Sequence, residues 1–184
     1  LETKPEKAIK LEKDALAQIE NITADNARLV SNLHANLGGL YRMNGHPDLA
    51  REHMEKSISL LDQFNLLHIN DSIPQIANYA MFLTEQQEPE RGISELQKLS
   101  GIIKEYHSDD CLDYAKVQET LGTIYLMTAN LPQAKTHFKR AFKIYEKIWA
   151  DEPEMIEAKY QEIQELYPQI GFCIGKNLSG LLTK

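Results

Sequence analysis

The chain has 184 residues, a mass of 21.0 kDa and a formal net charge of −7, with 42% apolar and 26% charged residues. An acidic balance without a clustered basic face argues against direct contact with nucleic acid, and no apolar run approaches the ~18–20 residues that span a bilayer. Only Cys111 and Cys173 are present and no basic-then-apolar leader opens the chain, so neither a disulfide framework nor a secretory signal is visible and the sequence reads as cytoplasmic.

The first element is "PEKAIKLEKDALAQIE", residues 5–20, with Ile9, Leu16 and Ile19 at helical spacing. The next runs through Leu33, Leu37, Leu40 and Tyr41, breaks at Gly45, and resumes after Pro47 with Leu49, His53, Met54, Ile58 and Leu61. A proline there suits the first turn of a new helix, where its missing N–H is no loss. The pattern predicts two amphipathic helices joined by a tight turn. It recurs through Tyr79, Leu83, Gln87 and Pro89, and again through Leu121, Tyr125, Ala129, Pro132, Phe138, Phe142 and Tyr145.

The recurrence has a fixed step. Moving 42 residues at a time from Leu37 reaches Tyr79, Leu121 and Ile163; from Tyr41, Leu83, Tyr125 and Tyr167; from Ala8, Ala50, Gly92 and Ala134. Small residues stay small and large ones stay large. Gly38, Ala80 and Gly122 on the first helices, with Ala50, Gly92 and Ala134 on the second, would let two backbones approach closely, while Tyr41, Leu83 and Tyr125 fill the space where the helices splay. A fixed period of this kind marks a stacked array in which each unit covers its neighbour's apolar face.

The stretches "NLGGLYRMNGHPDLAREHMEKSI" and "TLGTIYLMTANLPQAKTHFKRAF" resemble tetratricopeptide repeats, with their Leu-Gly-x-x-Tyr and Ala-x-x-x-Phe spacings. The period is longer than the standard unit of about 34 residues, and a 42-residue form resembles the repeats of kinesin light chain and related bacterial proteins. The resemblance implies an all-α, right-handed superhelix of antiparallel helical hairpins. On that register residues 1–22 hold the second helix of a truncated repeat, whose first helix would precede Leu1. Residues 31–64, 73–106 and 115–148 are full repeats, and 153–184 a degenerate C-terminal capping repeat, all in one array. A truncated first helix is expected to leave Ile9, Leu16 and Ile19 uncovered and to promote self-association through the ends of the solenoid.

The resemblance also implies that the first helices line a concave, peptide-binding face. Residues expected there are Asn32, Ala35, Asn36, Gly39, Arg42 and Met43; then Ala77, Asn78, Met81 and Glu85; then Lys116, Glu119, Thr120, Thr123 and Met127. Asn36 and Asn78 share one column, and a carboxamide can donate and accept at once, as holding a peptide main chain requires; the alternative is that they bond to neighbouring helices or face water. Met43, Met81 and Met127 suit an adaptable apolar surface or a packed core. The Lys and Asn columns of the chaperone-tail carboxylate clamp hold Ala35 and Gly39, which argues against an acidic chaperone tail as ligand.

No chemistry is written elsewhere. The six histidines fall in no metal-ligand spacing, Cys111 lacks a nucleophile signature, and no phosphate loop or cofactor motif occurs. Asp109 and Asp110 read as a turn with an N-cap. Between 151 and 170, Asp151, Glu152, Glu154, Glu157, Glu162 and Glu165 stand against Lys159 alone, a solvated face or a docking surface for a basic partner. The sequence thus predicts a non-enzymatic protein-interaction module without cofactor or metal; the alternative is the peptide-sensing part of a bacterial transcriptional or signalling regulator whose effector domain lies outside these residues.

Overall fold

The computed structural model describes residues 4–166, and among them only helices occur: α1 (Lys4–Ala17), α2 (Ala27–Met43), α3 (Pro47–Gln63), α4 (Ser72–Glu85), α5 (Pro89–Tyr106), α6 (Leu112–Met127), α7 (Leu131–Ile148) and α8 (Pro153–Leu166). The chain divides into two compact units, Leu1–Tyr106 and His107–Lys184. In the first, α2 pairs with α3 and α4 with α5; in the second, α6 pairs with α7.

Each first helix ends the same way because the chain must reverse within three residues. Gly45, Gln87 and Ala129 all take left-handed backbone angles, with φ of 74°, 64° and 58°. His46 N–H donates to the Tyr41 carbonyl, Glu88 to Leu83 and Asn130 to Tyr125, at 2.9, 2.8 and 2.7 Å. These bonds satisfy carbonyls that the ending helix leaves without partners. The second helix α3 ends likewise at Asn65, with φ of 54°.

The small columns are where the hairpins close. A Cβ added at Gly92 would lie 2.6 Å from the Ala80 carbonyl oxygen, and one at Gly122 would lie 2.8 Å from the Phe138 ring. Around these crossings Leu37, Leu61, Leu83, Leu96, Leu121 and Phe138 are fully buried. Tight interdigitation of this kind makes a core sensitive to a single added methyl group.

One expectation needs correction. Ile9 and Leu16 of α1 are not left uncovered: both are partly buried against the core cluster to which Leu37 and Tyr41 of α2 belong. Their cover comes from the hairpin that follows them in the chain. The large apolar residue that α1 does expose is Leu11, at 70%. Of the expected capping repeat at 153–184, residues 167–184, including the stretch "GFCIGKNLSGLL" (171–182) that reads as a short terminal helix, lie outside the described residues.

Candidate functional site

In the first unit a cleft of about 140 Å³ opens between α2, α3 and α4. Ala35 and Gly39 give its floor no bulk, Met43 and Met54 supply apolar surface, and Gln75 and Asn78 face it from α4. A Cβ built at Gly39 meets nothing within 4 Å, so the space is open to a side chain. Met43 is 81% exposed and available as an adaptable contact rather than as core filling.

The predicted site residues fall into different surroundings. Arg42 is held by Glu85, its Nε 2.8 Å from one carboxylate oxygen and its Nη2 on the other. Arg42 lines the cleft, and the two-point bond to Glu85 fixes its guanidinium there. Asn32 accepts from Gln75 Nε2 at 2.6 Å and donates to Asp71 at 3.4 Å. Behind it the Ser31 and Ser57 hydroxyls, 3.1 Å apart, both donate to Gln75 Oε1, and Arg28 Nε lies 2.6 Å from Asp71. The Arg28 hydrogen bond holds the Asp71 carboxyl below its usual range. A buried polar network must be satisfied from within, and this one joins α2 and α3 to α4. Sequence reading missed it, because Ser31 and Ser57 look like ordinary helix residues until their faces meet.

Asn36 and Asn78 share a column but not an environment. Asn36 Nδ2 donates to Glu12 of α1 at 3.0 Å, whereas Asn78 lines the cleft and, among the described residues, its amide has no hydrogen-bond partner. Met81 is half-buried. In the second unit Lys116 is exposed and 3.7 Å from Asp113, and the Thr120 hydroxyl donates to the Lys116 carbonyl at 3.0 Å. Thr120 is thus engaged by its own helix, and Met127 is 45% exposed.

The histidines pair through space rather than through sequence spacing. His34 Nδ1 lies 2.8 Å from His53 Nδ1, and the His53 ring stacks on Tyr41 at 5.4 Å and 15°. Two periods on, His137 Nδ1 lies 2.9 Å from Gln118 Oε1 and stacks on Tyr125 at 5.2 Å and 18°. Burial, joined by the charge of His53, pulls the His34 pKa down to about 4, and burial lowers His53 and His137 as well. Among the described residues no group of three or more His, Cys, Asp or Glu could hold a metal ion. Cys111 caps α6, its Sγ accepting from Tyr114 N–H at 3.4 Å, and Asp110 pairs with Lys147.

A second polar cluster ties α8 to the α6–α7 hairpin. Lys159 Nζ lies 2.9 Å from Glu119 and 3.0 Å from Glu162, and the Tyr145 hydroxyl donates to Glu119 at 2.6 Å. Burial and the Glu119 charge push the Tyr145 hydroxyl far up, while burial of Lys159 is outweighed by its two carboxylates.

Residues 72–147, from α4 to α7, match the family model of the tetratricopeptide repeat. The chain contains tetratricopeptide repeats. The match includes the hairpin at 73–106, whose Tyr79, Ala80 and Gly92 depart from the usual residues. The structure resembles the crystal structure of BtubC (BKLC) from P. vanneervenii, with a TM-score of 0.67 at 20% identity, covering 78% of this chain and 56% of that one. The chain therefore spans little more than half of that protein, and the likeness shows the fold, an all-α repeat solenoid. No curated relative matches the sequence. Tetratricopeptide repeats are interaction units rather than catalytic ones, and they mediate contacts between proteins. Among the described residues no helix is long and apolar enough to cross a membrane.

Proposed function

We propose that the chain is a non-enzymatic module that holds an extended segment of a protein partner in the cleft between α2 and α4, working in the cytoplasm and without a cofactor. The observation that carries this reading is the Asn78 amide, without a partner among the described residues, beside the open floor at Gly39. A carboxamide in that position can accept from one main-chain N–H and donate to the next carbonyl. The Arg42–Glu85 pair frames the rim and gives a passing chain both a cation and an anion to meet.

The test uses Gly39→Gln. Glutamine favours the helix over glycine by roughly 0.5–1 kcal/mol and projects into the cleft. The variant should melt at or above the parent's temperature while losing the partners that the parent captures, identified by mass spectrometry and confirmed by calorimetry. Unchanged affinity for the captured partner, with the fold intact, overturns the reading.

A further inference from the structure

A comparison of equivalent positions in the two units points to a separate site. In the first unit, the junction between a first helix and the first helix of the next repeat is locked by charge and amide: Arg28 on Asp71 at 2.6 Å and Asn32 accepting from Gln75 at 2.6 Å. Two periods on, the residues in those columns are Leu112, Met155, Lys116 and Lys159. An ion pair has become an apolar pair, and the amide pair has become two cations that cannot bond each other. Lys159 turns instead to Glu119 and Glu162, and the junction opens into a cleft of about 290 Å³. A cavity of about 150 Å³ lined by apolar side chains is enough to hold a benzene molecule.

We propose that this cleft of the second unit takes one large apolar side chain from a segment of a protein partner whose flanking residues are basic. Leu112, Tyr145, Trp149, Met155 and Ala158 supply its apolar lining. Trp149 lies flat on Tyr145 at 4.9 Å and 10°, and Met155 is 43% exposed. Rigid aromatic walls around a partly open apolar space are what interface anchors fill. The flanking charge follows from α8. Glu154 and Glu165 are exposed on the α8 face that carries Ala158, Asp151 is exposed just before the helix, and none of the three makes an ion pair among the described residues; the two cations of the lining, Lys159 and Lys116, are matched by Glu119 with Glu162 and by Asp113. A cationic flank meets uncompensated carboxylates there, whereas an acidic one would be repelled. The site shares no residue with the cleft of the first unit and does not rest on the reading given for it.

Trp149 is the chain's single tryptophan and lines the cleft, so its emission reports occupancy. The probe is a synthetic amphipathic peptide of leucine and lysine, titrated into the full chain beside versions with glutamate for lysine and serine for leucine. Saturable change is expected with the first peptide and binding roughly tenfold or more weaker with each of the others, given what apolar burial and charge reversal contribute. Ala158→Phe fills the space from an exposed position and should lose binding equally with its melting curve unchanged. Met155→Lys, which removes an apolar wall and adds a positive charge, gives the same loss by a second route. Gly39→Gln, which blocks the other cleft, should leave the titration unaltered. No saturable change with the leucine–lysine peptide, equal binding by Ala158→Phe and Met155→Lys, or loss of binding on Gly39→Gln instead, each overturns the proposal.

Discussion

Helix α5 contains a matched pair of glycines, and they should respond oppositely to the same substitution. At Gly101 an added Cβ meets nothing within 4 Å; at Gly92 it would stand 2.6 Å from the Ala80 carbonyl oxygen and 3.2 Å from the Ala80 carbonyl carbon and Cα. Both sit inside one helix, where alanine is favoured over glycine by about 1 kcal/mol. Gly101→Ala should therefore be stabilising by about that amount, or roughly 2–4 °C in Tm for a chain of this size. Non-bonded carbons prefer separations of about 3.5–4.0 Å, so Gly92→Ala forces α4 away from α5. The obstacle is backbone, which cannot rotate aside, and overpacking of this kind typically costs about 1–3 kcal/mol.

Because helix propensity contributes equally to both variants, their difference isolates the close approach and should be about 1–3 kcal/mol, with Gly92→Ala the less stable. Gly38→Ala should be milder despite a distance of 2.5 Å, since the neighbour is Met54 Cγ and a methionine can change rotamer. Thermal and urea unfolding followed by far-UV circular dichroism would rank the three. If Gly92→Ala melts at or above the temperature of Gly101→Ala, the crossing of α4 and α5 is not as close as argued.

Gln87→Gly and Ala129→Gly should each be stabilising by roughly 1 kcal/mol, since a side chain in the left-handed region costs about 1–2 kcal/mol that glycine avoids; a loss of stability in urea melts would contradict this. The histidine pair predicts acid sensitivity. The His34 pKa is lowered on folding, so its neutral form contributes stability that is complete above the unfolded value near 6.5 and is lost as pH falls toward about 4. His34→Gln places in the first hairpin the Gln–His pairing that Gln118 and His137 already make, and should flatten the stability profile in that window; an unchanged profile would remove the pair as its cause. Tyr145→Phe takes the hydroxyl from Glu119 and should be destabilising by about 1 kcal/mol, whereas a neutral result would show that Lys159 alone satisfies that carboxylate.

The hairpins were legible because packing leaves its mark on residue size. A backbone crossing tolerates only small residues, a splay demands large ones, and both constraints repeat wherever the geometry repeats, so Ala50, Gly92 and Ala134 align without any knowledge of contacts. Turn chemistry was less legible. The left-handed column holds Gly45, Gln87 and Ala129, and only the first is a residue that declares such a conformation. Tertiary context imposes it on the other two. The histidine contacts were hidden because a separation of 19 residues crosses a turn between antiparallel helices; no spacing within one helix could reveal them.

The candidate site shows why a column fixes less than it suggests. Period places Asn36 and Asn78 at the same point of equivalent helices, and from sequence they form one feature. What stands in front of each is decided by the preceding element. Asn36 faces α1, where Glu12 takes its amide at 3.0 Å; Asn78 faces α2, where Ala35 offers only a methyl group and Gly39 no side chain, which leaves a cleft. The same argument separates Arg28 from Leu112 and Asp71 from Met155: one column, closed by charge in one unit and left apolar in the other. Repetition specifies the scaffold, and departures from it at equivalent positions specify where that scaffold is open to a partner.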